Sequence, residues 1–169
     1  SDMHQVVSVL SREILSTTSS AAAASGAREA IERLAERAKC TPSFLITSTH
    51  EKSHELVEQL LRQSLKNRTV RNQQMLAVKA VTFCVSVEPP LLTKLDEMDM
   101  MLVFLSDAAS LAELENYPNM VLADLQRLRA ACIDLLAAAI AWEPFKTTTA
   151  ENAVKLRNRA IAVFFKSFV

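Results

Sequence analysis

The chain has 169 residues, half of them hydrophobic (50%), with a single glycine and five prolines. One glycine supplies neither the turns of a β-protein nor a glycine-rich phosphate loop, so an all-α fold is expected. The 19 basic and 19 acidic residues cancel, which gives no electrostatic footprint of a nucleic-acid binder.

Cys40, Cys84 and Cys132 are odd in number, far apart and form no CxxC. Buried free thiols in a reducing compartment fit them better than disulfides or a metal site. The N-terminus lacks a basic stretch before an apolar run, so no signal peptide is expected. The longest weakly polar stretch, residues 130–142, contains Asp134 and is too short for a bilayer. A soluble intracellular chain is expected, with no membrane partner.

Asp2 is placed to cap a first helix, in which Met3, Val6, Val7, Leu10 and Ile14 form the apolar stripe. Residues 17–25 are rich in Ser, Thr and Ala and read as a connection ending at Gly26, although the alanine run is able to extend either helix. A second helix over 27–39 turns Ala27, Ala30, Ile31, Leu34 and Ala38 inward. Pro42 follows it and disfavours helix in the residue before it. Residues 43–48 suit a short extra turn that packs Phe44, Leu45 and Ile46.

Thr49 is placed to cap the next helix, which carries Leu56, Val57, Leu60, Leu61 and Leu65 and closes at Asn67, Arg68 and Thr69. A helix over 70–87 presents Met75, Val78, Val81, Thr82 and Val85. Pro89 and Pro90 suit a helix start better than an interior. From Leu91, the stripe Leu91, Leu95, Met98, Leu102 and Leu105 runs to 111–114, and residues 116–119 form a turn.

The last third reads as two long helices folded back on each other. From Asp124, residues Leu125, Leu128, Cys132, Leu135, Leu136 and Ala139 make one stripe, with Ala130, Ala131, Ala137, Ala138 and Ala141 around it. Those small residues let a second helix approach closely. Trp142 and Phe145 are expected to staple the connection. In the final helix Val154, Ile161, Phe164, Phe165 and Phe168 repeat the spacing, between Lys155, Arg157, Arg159 and Lys166, which line its outer face or contact its neighbour. Such a pair is the unit of an α-solenoid. The whole predicts about seven helices, arranged as HEAT-like antiparallel pairs in one segment over residues 1–169. The apolar, uncapped end suggests a piece of a longer array, since terminal repeats usually present a polar face.

His50, Glu51 and His54 satisfy the H-E-x-x-H pattern, in which two histidines one helical turn apart bind zinc and the glutamate acts as base. The only other histidine is His4, and no acidic residue lies between Glu58 and Glu88, so the third ligand is missing. The metal reading is rejected in favour of a solvated helix start with Glu51 near its positive end. Arg62, Lys66, Arg68 and Arg71 cluster at a helix junction and suit an acidic segment or phosphate. A solvated loop near a helix C-terminus accounts for them more simply. Met98, Met100 and Met101 fit core packing better than an adaptable surface, with Asp96, Glu97 and Asp99 facing water. No nucleophile has a His/Asp partner pattern. No enzyme, cofactor or metal site is expected, and no residue stands out as a partner contact.

The runs 128–137, Phe145 with Lys146, and 159–168 resemble a HEAT-repeat segment of the transformation/transcription domain-associated family (TRRAP and its fungal counterpart). These are very large pseudokinase scaffolds of SAGA-type histone acetyltransferase complexes. Residues 60–65, 75–77, 81–84 and 89–92 are similar to the same scaffold in the same order, and the resemblance covers about 51–168. The matching residues are packing positions. The resemblance implies a nuclear transcriptional coactivator segment without chemistry of its own. Its implied partners are other acetyltransferase-complex subunits, transcription-factor activation domains and adjacent repeats of the same chain, with no direct nucleic acid. A HEAT or armadillo adaptor in trafficking or nuclear transport shares the fold and is the alternative. A zinc hydrolase through His50, Glu51 and His54 is the weaker one.

Overall fold

The computed structural model describes residues 2–15, 20–49, 71–92, 98–115 and 120–168. Among these residues there are eight helices and no strand. They are α1 (Asp2–Ile14), α2 (Ala21–Ala38), α3 (Pro42–Thr49), α4 (Arg71–Ser86), α5 (Met98–Glu113), α6 (Leu122–Ala141), α7 (Glu143–Lys146) and α8 (Glu151–Lys166). The chain forms two compact units, Ser1–Thr93 and Lys94–Val169. The all-helical, HEAT-like reading of the sequence holds.

In the first unit α1, α2 and α3 pack on one another. The buried face of α1 is Val7, Ser11 and Ile14, while Met3 and Val6 are exposed. The expected stripe is therefore turned around the helix axis. Ser11 is tolerated inside because its hydroxyl donates to the Val7 carbonyl at 2.7 Å, which removes the cost of an unpaired buried group. The capping role expected of Asp2 rests on a side chain outside those described.

Helix α2 begins at Ala21, well before the expected residue 27, so Gly26 lies inside a helix and does not end a connection. The reason is local. The Ser20 hydroxyl accepts from the Ala23 amide at 3.0 Å, and alanine has the highest helix propensity, so the run propagates from that cap. Ala24, Ala27, Ile31 and Ala35 are buried, whereas Ala38, expected inward, is exposed. Lys39 closes the helix in the left-handed conformation, φ 55° and ψ 43°. The Cys40 amide then donates to the Ala35 carbonyl at 3.0 Å, the wrapped helix end that usually employs glycine.

Thr41 starts α3 by accepting from the Phe44 amide at 3.1 Å. Leu45 and Ile46 are buried as expected, but Phe44 is 60% exposed. Thr49 is the last residue of α3. The predicted helix with Leu56, Val57, Leu60, Leu61 and Leu65 lies outside the described residues, as does the turn at 116–119.

Helix α4 buries most of its circumference: Ala77, Val78, Ala80, Val81, Phe83, Cys84 and Val85. The side that carries Lys79, Thr82 and Ser86 is left partly open. After it the chain turns, and both the Leu91 and Leu92 amides donate to the Cys84 carbonyl, at 2.9 and 3.3 Å. Leu91 thus lies in a turn and does not begin the next helix. Leu92, next to it, is the fully buried one.

The second unit is a three-helix arrangement in which α5, α6 and α8 all touch one another, with α7 in the connection between α6 and α8. The predicted stripe of α6 is buried without exception: Leu125, Leu128, Cys132, Leu135, Leu136 and Ala139. Trp142 and Phe145 are buried at the connection, as the sequence predicts. In α5, Met101 and Leu105 are fully buried and Asp99 is exposed. Helix α8 presents Ala153, Ala160 and Val163 to the interior. Phe165 and Phe168, expected inward, are exposed. The buried face is displaced from the predicted one by roughly a third of a turn. Small residues permit the close approach of α5 and α6, and phenylalanines on that face would hold them apart.

Candidate functional site

Among the described residues, α8 carries two arginines that point to different neighbours. Arg159 reaches across to α5. Its Nε donates to Glu113 Oε1 and its Nη2 to Glu113 Oε2, both at 2.9 Å. The same Nη2 donates to the Ser110 hydroxyl at 3.1 Å. A two-pronged match of this kind fixes orientation as well as distance. The Arg159 hydrogen bond holds the Glu113 carboxyl below its ordinary pKa, and the carboxylate in turn raises the guanidinium. Both side chains are partly exposed, 36% and 45%, so screening limits the energy to about 1 kcal/mol at most.

Arg157 stands on another side of α8 and grips the connection. Its Nη1 donates to the carbonyls of Phe145, Lys146 and Thr148, at 2.9, 3.1 and 3.0 Å. Two of these are the last carbonyls of α7, which have no intrahelical partner. Thr147 adds a bond from its hydroxyl to the Glu143 carbonyl at 2.7 Å. The turn is thereby anchored by a cation and by the buried Phe145 ring.

Of the residues singled out in the sequence, His50, Glu51 and His54 lie outside the described residues. So do Arg62, Lys66, Arg68, Asp96 and Glu97, and the side chains of Arg71 and Met98. Among the described residues no group of three or more His, Cys, Asp or Glu is arranged to hold a metal ion. No described helix is long and apolar enough to cross a membrane. The expected role of the α8 basic residues, outer face or neighbour contact, is met by both kinds. Lys155 pairs with Glu151 on its own helix at 3.1 Å, while Arg157 and Arg159 leave it. None of the three cysteines is in a disulfide; Cys84 and Cys132 are buried and Cys40 is partly exposed.

Sequence reasoning missed Arg28 and the Arg159–Glu113 pair. Arg28 on α2 has a buried Nη1 without a hydrogen-bond partner. Burial lowers its pKa, against the pull of Glu32 one turn along. No local spacing announces a pair 46 residues apart. At the end of α8, Phe164 meets Phe168 and Phe165 edge-on, with ring centroids 5.0 and 6.0 Å apart. Phe165 and Phe168 are 66% and 73% exposed.

These features are packing and surface features of packed helices. The family model of the Tra1 HEAT repeat ring region matches residues 1–169. The chain belongs to the Tra1 HEAT repeat ring family. That agrees with the TRRAP/Tra1 resemblance of the sequence and with an all-helical architecture. No curated protein and no solved structure matches the chain. As a Tra1 ring segment, the chain is a helical-repeat region of a scaffold family.

Proposed function

We propose that this Tra1 ring segment is a non-catalytic structural element of a nuclear coactivator scaffold of SAGA-type histone acetyltransferase complexes. In this reading it is one segment of a longer helical array, helping assembly and presenting surface to transcription-factor activation domains. The supporting observation is the family match over residues 1–169, joined to a fold whose polar groups tie helices together. Extended helical arrays offer long surfaces on which an amphipathic acidic segment can fold.

Crosslinking mass spectrometry on the native, full-length complex tests this. Exposed Lys146, Lys155 and Lys166 are the reporters. Crosslinks to acetyltransferase-complex subunits and to a bound activator are expected. Crosslinks confined to trafficking or transport machinery would overturn the proposal.

A further inference from the structure

We propose that Thr149 is a phosphorylation site whose phosphate is received by Arg157. Three threonines, residues 147–149, follow Lys146 in the connection between α7 and α8. The first two hydroxyls are occupied. Thr147 donates to the Glu143 carbonyl, and Thr148 accepts from the Ala150 amide at 3.3 Å. Thr149 is exposed, lies outside any helix, and among the described residues its hydroxyl has no partner. It is the hydroxyl of the three that a kinase can take without first breaking a bond.

The receiving group is already in place. Arg157 spends only Nη1, on the carbonyls of Phe145, Lys146 and Thr148. Among the described residues its Nε and Nη2 have no partner, and no carboxylate pairs with it. That unused edge is the one with which Arg159, two residues along, holds Glu113. Thr149 directly follows the residue whose carbonyl Arg157 grips. A phosphate there brings a charge of about −1.5 to −2 and three acceptor oxygens to an uncompensated guanidinium. Lys146, exposed three residues before Thr149, supplies the upstream positive charge that basic-directed kinases read.

In the step, the γ-phosphoryl group of a nucleoside triphosphate passes to Thr149 Oγ1. The Oγ1–P bond forms, the bond from the γ-phosphorus to the bridging oxygen breaks, and the nucleoside diphosphate leaves. The hydroxyl proton goes to the kinase's base. Because Nη1 keeps its carbonyls while the open edge takes the phosphate, modification tightens the connection between α6 and α8 and leaves a negative surface there.

The test treats the purified chain with ATP and a basic-directed serine/threonine kinase, followed by site mapping and phosphorus NMR. Incorporation at Thr149, abolished by Thr149→Val, is expected. The phosphate's second pKa is expected at least half a unit lower in the folded chain than in the same phosphorylated chain in urea. Arg157→Gln is expected to return it toward the urea value, Arg157→Lys to return it in part, and Lys155→Gln to leave it lowered. No incorporation into the folded chain, incorporation at Thr147 or Thr148 instead, or an unlowered pKa would each overturn the proposal.

Discussion

The Arg159 guanidinium meets the Glu113 carboxylate through two parallel 2.9 Å hydrogen bonds, and in doing so joins α8 to α5. The Ser110 hydroxyl extends the contact. Because the carboxyl is held below its ordinary value of 4.5, the pair contributes stability that is fully present above the unfolded-state pKa. That contribution is lost as the pH falls through the lower, folded-state pKa. Glu113→Gln is therefore expected to cost about 1 kcal/mol or less near neutrality. The difference from the unaltered chain should shrink as denaturation is repeated at successively lower pH below 4.5. A difference independent of pH would mean that the charge on Glu113 is irrelevant.

Two phenylalanines of the last hairpin are expected to respond very unequally to truncation. Phe145 is fully buried beneath the connection, so Phe145→Ala is expected to cost about 3–5 kcal/mol. Phe165 is 66% exposed and touches Phe164 edge-on, so Phe165→Ala should cost about 1 kcal/mol or less. Urea unfolding followed by circular dichroism separates the two. Equal losses would contradict the placement of α8.

Lys39 occupies a left-handed backbone position, φ 55°, that glycine adopts without a Cβ penalty. Lys39→Gly is expected to stabilise the chain by about 1 kcal/mol, read as a shift of the denaturant midpoint with unchanged slope. A destabilised variant would show that the lysine side chain contributes more than its backbone strain costs.

Thiol reactivity should divide the cysteines one against two. Cys84 and Cys132 are fully buried and Cys40 is partly exposed. A disulfide reagent is expected to modify Cys40 promptly in the native chain and the other two only on unfolding. Mass mapping of the labelled peptides gives the answer directly. Prompt labelling of Cys132 would be incompatible with its place between Leu128 and Leu135.

The buried stripe of helix α6 was fully legible in the sequence because Leu125, Leu128, Cys132, Leu135, Leu136 and Ala139 recur on one side while alanine and polar residues fill most of the rest. Helix α8 was legible as a helix but not in its facing. It carries an aromatic stripe and a small-residue stripe, and hydrophobicity alone favours the aromatic one. The start of α2 was obscured because alanine and serine suit both a connection and a helix, and the Ser20 cap settles the matter only once its hydroxyl is placed. The metal motif at His50, Glu51 and His54 falls outside the described residues, and metal analysis of the purified chain is the appropriate check on its rejection.

Read alone, the 169 residues determined an all-helical chain, because helical period, proline placement and scarcity of glycine are local properties, while its Tra1 kinship rests on the order of its packing motifs and on the family match. Only the tertiary structure decided which face of α1 and α8 turns inward and that Arg157 and Arg159 serve different neighbours. Those choices depend on how closely helices approach and on pairs far apart in sequence, and neither is written in the spacing of residues along one helix.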